Sequence, residues 1–302
     1  MKIFITGATG YIGHAVARAL RRRGHDVSGL VRSDDKAKRL WMDEVRPVIG
    51  DLRKAESYMA HARDADVVVH AAAEFGKDMA ELDRVALERL LAAVKDGSRP
   101  RTFIYTSGVW VYGNTGGEKL NEGSAIKPLP MVAWRPPHEE TVLRAASDRL
   151  ATSVLRPGCV YGGAGSLTSA WFESAENEGA ARVIGEGHNR WAMIHLEDLA
   201  DAYGRVVDRR ARGEIFNVVD RSRYTVREMA VAASRAAGKN GEVRVVPLAE
   251  AAKVMPPPLV DALALDQHLD AWKAVEVLGW NPRFGGFVDD ADLYYRAWKN
   301  RT

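Results

Sequence analysis

Three glycines near the start of the chain, Gly7, Gly10 and Gly13, stand in the spacing G-x-x-G-x-x-G within Thr6-Gly7-Ala8-Thr9-Gly10-Tyr11-Ile12-Gly13. The chemistry open to such a run is anion binding. Glycine allows a crowded turn with φ > 0. A missing side chain also lets a phosphate approach backbone N–H groups at a helix N-terminus, where the dipole favours negative charge. A glycine triplet alone is weak. Here Lys2-Ile3-Phe4-Ile5 before it reads as a strand, and Ala15 to Leu20 after it as a helix. That context points to a pyrophosphate-binding turn.

The elements that must position this turn follow in order. Gly24 closes the first helix, as a glycine just past a helix end does. Val27–Arg32, Val45–Ile49, Val67–His70, Phe103–Thr106 and Ser153–Arg156 read as strands, and about Met79 to Val94 as a helix. The run Val67-Val68-Val69 is apolar on both faces, which suits a parallel sheet covered on both sides. Strands alternating with helices predict an α/β fold, a doubly wound parallel (Rossmann) sheet. Beyond it, Trp191–His195, Glu214–Val219 and Val243–Val246 read as strands. Thr225 reads as the cap of a helix reaching Ala237, Asp198 as the N-cap of another, and Pro256-Pro257-Pro258 as a break before two last helices. The expected organisation is a dinucleotide-binding domain over 1–165, to which 191–220 return, and a smaller substrate-binding unit mainly over 166–302.

Composition narrows the function classes. In 302 residues, hydrophobic residues make up 46%, enough for a substantial core. The net charge of +3 comes from scattered, nearly balanced ions and argues against a nucleic-acid partner. The basic run Arg18–Arg23 is expected to be a solvated helix end. A single cysteine, Cys159, excludes an internal disulfide and suits a reducing compartment. No apolar stretch reaches membrane-spanning length. A cytoplasmic protein with neither membrane association nor a metal site is expected.

Several motifs resemble one family together. Beside the glycine turn these are Gly50-Asp51-Leu52, His70-Ala71-Ala72-Ala73, Tyr105-Thr106-Ser107, Val111-Tyr112-Gly113, Arg156-Pro157-Gly158 and Ile194-His195-Leu196-Glu197-Asp198-Leu199-Ala200. In order and spacing the chain resembles the atypical extended short-chain dehydrogenase/reductases, which are similar to the NAD-dependent epimerases and dehydratases. The resemblance implies a nicotinamide dinucleotide held by Gly7, Thr9, Gly10, Tyr11, Ile12 and Gly13. Asp51 and Leu52 would flank adenine, and Ala71, Ala72 and Ala73 the middle of the cofactor. Thr106, His138, Pro157 and Val160 would meet its far end. At the ribose the family's NAD-preferring members place an acid, whereas this chain has Arg32 and Ser33. A guanidinium suits a 2′-phosphate, so NADP is expected over NAD. A homodimer through paired helices is a family expectation.

The family's proton relay is a Ser, a Tyr and a Lys. Aligned on Val111-Tyr112-Gly113, the serine place falls on Gly108, with Ser107 beside it. No Tyr-x-x-x-Lys occurs between Tyr112 and Tyr161; the corresponding places hold Trp134 and His138. An indole N–H does not titrate in the useful range. Histidine does, and His138 lies one helical turn from Trp134 on the same face. Candidate catalytic residues are therefore Ser107, Trp134 and His138, with Tyr112, Glu139 and Tyr161 as alternates. His70 and His195 are read as structural, and Cys159 as packing. Three readings stay open: hydride transfer with a substitute proton donor, redox-neutral chemistry of the epimerase or dehydratase type, and a non-catalytic NADP-binding sensor or interaction protein. Trp110, Met131, Trp134, Trp171, Phe172, Trp191 and Met193 are expected around the strand ends and suit a small apolar or aromatic substrate. Cys159 stands where nucleotide-sugar enzymes of the family carry Asn, which points to a carbonyl compound instead.

Overall fold

The computed structural model describes residues 1–74, 76–95, 99–163 and 165–300. Seven parallel strands form the central sheet: β1 (Lys2–Thr6), β2 (Asp26–Val31), β3 (Arg46–Ile49), β4 (Val67–His70), β5 (Arg101–Thr106), β6 (Leu150–Pro157) and β7 (Glu214–Val218). Their order is β7-β6-β5-β4-β1-β2-β3. The chain winds outward from β1 to one edge, then crosses back and winds from β4 to the other. The switch lies between β1 and β4, where crossovers leave in opposite directions and open a crevice at the strand ends. In register, Thr6 pairs with His70 and His70 with Tyr105, so the three central strands end level.

Alternation along the strands separates two apolar layers. Ile3, Ile5, Val67, Val69 and Ile104 face α1 (Tyr11–Arg22), α2 (Asp34–Met42) and a later helix, Leu196–Arg209. Phe4, Val68, Phe103 and Tyr105 face α3 (Met59–Asp64), α4 (Met79–Lys95) and α5 (Arg135–Arg144). Strand β7 pairs with β6, and the helix Leu196–Arg209 packs on α1. Part of the basic run is not simply solvated: Arg23 bridges to Asp201 and Asp208 on that helix at 2.5 Å each, while Arg21 meets Glu44.

The helices α6 (Ser169–Glu178), α7 (Leu196–Arg209), α8 (Val226–Ala236), α9 (Leu248–Val254), α10 (Pro257–Leu263), α11 (Trp272–Leu278) and α12 (Ala291–Lys299) complete the chain. Thr225 and Glu228 form a reciprocal cap at α8. Pro257 and Pro258 open α10 rather than merely breaking the chain, because proline is free of backbone conflict in a first helical turn. Three helices, not two, thus follow Pro256. An aromatic cluster of Trp171, Phe172, Phe287, Tyr294 and Trp298 forms a separate core among α6, α8 and α12. Among the described residues no helix is long and apolar enough to cross a membrane.

Asp198 is not the N-cap of α7. His195 holds that place, its Nδ1 accepting the Glu197 N–H at 3.2 Å. The fully buried Asp198 carboxylate instead accepts the backbone N–H groups of Arg283 (2.8 Å) and Phe284 (3.1 Å), and its carbonyl accepts the Trp280 indole N–H (3.0 Å). Asp198→Ala leaves two part-buried backbone donors unmet and should lower stability by about 1–3 kcal/mol in urea denaturation; an unshifted midpoint would count against this anchoring.

Candidate functional site

The β1–α1 turn is built as tightly as backbone allows. Gly7 has φ +75°, and a Cβ there would fall 2.6 Å from the Ala71 carbonyl oxygen. One on Gly13 would fall 2.2 Å from the Gly7 oxygen. The turn therefore lies directly against the end of β4. Helix α1 begins at Gly10 with no side-chain cap and no acid in its first turn, which leaves its N–H groups to an anion.

In front of this turn runs a groove of about 610 Å³. Gly7, Thr9, Gly10, Tyr11, Ile12, Gly13, Arg32, Asp51, Leu52, Ala71, Ala72 and Ala73 all line it. Ser33 does not; it precedes α2, and its hydroxyl makes no capping bond. The close backbone, the uncapped helix end and the small residues on β4 fit a dinucleotide. Arg32 lies 3.3 Å from Glu74, which Arg53 shares at 2.6 Å. Lys36, unremarked in the sequence, lines the same end with no carboxylate in ion-pair reach among the described residues. Its signal was its place in the first turn of α2, four residues after Arg32.

Tyr11, Ile12 and Ser166 line both the groove and an inner cavity of about 290 Å³. That cavity is walled by the chain after β5 (Ser107 to Trp110), by Met131, Val132 and Arg135, and by the chain after β6 (Pro157 to Val160). Ser107 is 6% exposed, and its Oγ has no hydrogen-bond partner among the described residues. Gly108, extended in backbone, leaves open space: a Cβ there meets only the Pro157 oxygen, at 4.0 Å. Arg135 was not picked out in the sequence. Its Nη1 donates to the Thr106 carbonyl at 2.9 Å, and its guanidinium lies 4.4 Å from the centre of the Trp134 ring.

The other proton-transfer candidates sit outside the lining of this cavity. His138 is buried, and its Nδ1 lies 2.7 Å from Asp83 Oδ2. Asp83 also accepts the Tyr105 hydroxyl at 2.8 Å, and its other oxygen is 3.3 Å from His70 Nε2. His70 Nδ1 in turn meets Thr6 Oγ1 at 2.6 Å. Burial opposes ionisation of Asp83, but the bonds from His138 and His70 outweigh it and hold the carboxyl well below its ordinary range. Asp83 was missed; its signal was a lone acid on the apolar face of α4, beside Ala86, Leu87 and Leu90.

Tyr112 and Glu139 are likewise engaged. Arg156 donates to both Glu139 oxygens, at 3.0 and 2.5 Å, and to the Tyr112 hydroxyl at 2.8 Å, which donates to Asn217. All four side chains of this cluster are buried. The Trp134 N–H goes to the Met131 carbonyl, and Thr106 Oγ1 to the Tyr203 hydroxyl. Tyr161 is buried among Phe287, Tyr294 and His195. Of the aromatic and methionine residues expected around the strand ends, Trp110 and Met131 line the cavity. Trp171 and Trp191 stack on each other, and Phe172 and Met193 belong to the separate core. Burial, helped by Asp220, pushes the Cys159 thiol up to about 12. Burial and then Arg283 lower His195 to about 4, as befits a capping imidazole.

Comparison with known proteins places this geometry. The model of the NAD dependent epimerase/dehydratase family matches residues 3–219, and the chain belongs to that family. An uncharacterized protein of Schizosaccharomyces pombe is 29% identical over 304 residues, which cover 98% of this chain and 100% of its own. The 4-hydroxy-2-methyl-3-oxo-4-farnesyl-3,4-dihydroquinoline-1-oxide ketoreductase of Stigmatella aurantiaca is 26% identical over 258 residues, 82% of this chain and 76% of its own. Among solved structures, UDP-glucuronic acid 4-epimerase from Bacillus cereus, in complex with UDP-glucuronic acid and NAD, shares the fold with a TM-score of 0.82. Its identity is 19%, and the match covers 99% of both chains. The resemblance drawn from the motifs, and the Rossmann fold it implied, are borne out.

The Asp83 cluster gives a signed expectation. A carboxyl depressed in the fold adds stability that is present at neutral pH and lost as pH falls below the ordinary aspartate value of about 4. Asp83→Asn should therefore cost about 2–4 kcal/mol at pH 7 and flatten the acid limb of a stability–pH curve measured by urea denaturation.

Proposed function

We propose that this chain is an NADP-dependent reductase of an apolar or aromatic carbonyl, or related unsaturated, small molecule, working without the Ser/Tyr/Lys relay. The observation that carries the reading is the Ser107 hydroxyl, without a partner among the described residues and buried in a largely apolar-walled cavity that opens into the dinucleotide groove. A buried hydroxyl without a partner costs free energy, and a carbonyl oxygen would meet that need. The Stigmatella relative, named as a ketoreductase, supports a carbonyl substrate.

A bound nicotinamide supplies the hydride for the carbonyl carbon. The chain's own part is to orient and to handle the proton. Ser107 Oγ–H donates to the carbonyl oxygen, polarising it, and passes on a proton that is replaced from solvent. Ketone, hydride and proton thus balance to the alcohol. Trp110, Met131, Val132 and the partly exposed Leu167 give the substrate's body an apolar surface. His138 and Asp83 act one layer behind, holding α5 and α4 against the strand ends rather than touching substrate. For the cofactor's 2′-phosphate we propose Arg32 and Lys36 together, with the hydroxyl of Ser33 near by; Glu74 keeps Arg32 at that end of the groove.

A non-catalytic NADP-binding protein is the second reading, favoured by the absence of His138, Tyr112 and Glu139 from the lining of the cavity. NADPH oxidation with aldehydes, ketones and enones separates the two. Turnover with at least one compound is expected, and Ser107→Ala should lower kcat/KM about 10²-fold. Tight NADPH binding with no turnover across the panel would favour the rival. The double substitution Arg32→Glu with Lys36→Glu should weaken NADPH about tenfold or more and NADH much less, as ion pairs to a phosphate are lost. Equal losses in calorimetric titration would remove the assignment of specificity.

A further inference from the structure

We infer that Arg135 is an anion anchor, and that the compound taken by the inner cavity carries a carboxylate beside its apolar body. This rests on the reductase reading for the carbonyl, but the anchor itself stands on separate observations.

Arg135 lines a cavity whose other walls are mostly apolar, among them Ile12, Trp110, Met131 and Val132. Its one side-chain hydrogen bond among the described residues goes to the Thr106 carbonyl, and its guanidinium rests by the Trp134 ring. No carboxylate lies within 4.0 Å of it among the described residues. The contrast with its neighbours is direct: Arg156, buried nearby, is paired with both oxygens of Glu139. A half-buried cation with spare N–H donors and no counter-charge is costly unless something from outside completes it. The planar fork of a guanidinium matches a carboxylate in two parallel hydrogen bonds.

The second observation is the neighbour. Arg135 is held at the carbonyl of Thr106, and the next residue is Ser107, whose buried Oγ lacks a partner among the described residues. One wall thus offers a fixed positive charge and an unsatisfied hydroxyl side by side. An oxo acid satisfies both, its carboxylate on Arg135 and its ketone oxygen on Ser107, while its alkyl or aryl body fills the apolar remainder.

The test is a matched panel of α-oxo acids, including benzoylformate and phenylpyruvate, each assayed against its methyl ester by NADPH oxidation. Wild type should favour the acids about tenfold or more in kcat/KM. Arg135→Gln should erase that preference through KM, and Arg135→Lys should keep part of it. Benzoate, which is not a substrate for reduction, gives a readout free of turnover. Its calorimetric binding to the NADP-loaded protein should vanish in Arg135→Gln, with NADP affinity unchanged. Esters reduced as well as acids, or benzoate binding that survives Arg135→Gln, would overturn the anchor and leave the reductase reading standing. Loss of NADP affinity with benzoate binding intact would assign Arg135 to the cofactor and equally overturn it. No oxidation with either half of this panel, nor with the aldehydes, ketones and enones above, would sink the reductase reading, while Arg135-dependent benzoate binding would still uphold the anion site. Should Arg135→Gln melt well below wild type, Arg135→Lys carries the comparison.

Discussion

The contact between Gly13 and the Gly7 carbonyl sets the geometry on which the rest depends. A Cβ at Gly13 would sit 2.2 Å from that oxygen, and one at Gly7 would strike the end of β4. With neither present, α1 starts directly above the middle of the sheet. Its uncapped N-terminus then faces the crevice at the ends of β1 and β4, where the crossovers leave in opposite directions. Any larger side chain would push the helix off the strands, removing both the core contacts of Ala15, Val16 and Leu20 and the groove in front of the turn.

Two buried polar clusters hold the other side of the site. One joins Asp83 on α4 to His138 on α5 and to His70 and Tyr105 at the strand ends. The other ties Arg156 on β6 to Glu139 on α5 and to Tyr112 in the loop after β5. Charges in such surroundings are tolerated only when paired and hydrogen-bonded. That demand takes the imidazole, the carboxylate and the phenol out of the inner cavity and spends them on seating α5. Apart from Cys159 and the Tyr11 and Ser166 hydroxyls, which donate to the Gly162 and Val160 carbonyls, what lines the cavity is a small set: the Ser107 hydroxyl, the Arg135 guanidinium and apolar walls. Gly108, with free space where a side chain would stand, leaves the same wall open.

The C-terminal part of the chain is fastened differently. Its aromatic core packs on itself, Trp171 against Trp191 and Phe287 against Phe172, Tyr161 and Tyr294. It is tied to α7 through the buried Asp198 carboxylate and the Trp280 indole. Aromatic residues that read as pocket lining in the sequence thus serve mostly as core, since large apolar surface gains most where water is wholly excluded.

What could be read from the sequence alone was local. The order of strands and helices, the glycine turn and the cap at Thr225 each depend on a few neighbouring residues, and periodicity or spacing reports them; the other groove residues followed from the family resemblance. The family followed from several such signals in order. Tertiary structure alone decided which polar side chains face the cavity. Trp134 and His138 occupy the places of a proton relay in the sequence, yet His138 turns to Asp83, a partner 55 residues away. Asp198 looks like a cap, but the backbone at Arg283 and Phe284 claims it. Lys36 and Arg135 went unremarked because surface and helix-end cations are common, and only the folded chain shows which of them meet a cavity without a counter-charge. The reason is physical: a charge is defined by what surrounds it, and those surroundings come from distant parts of the chain.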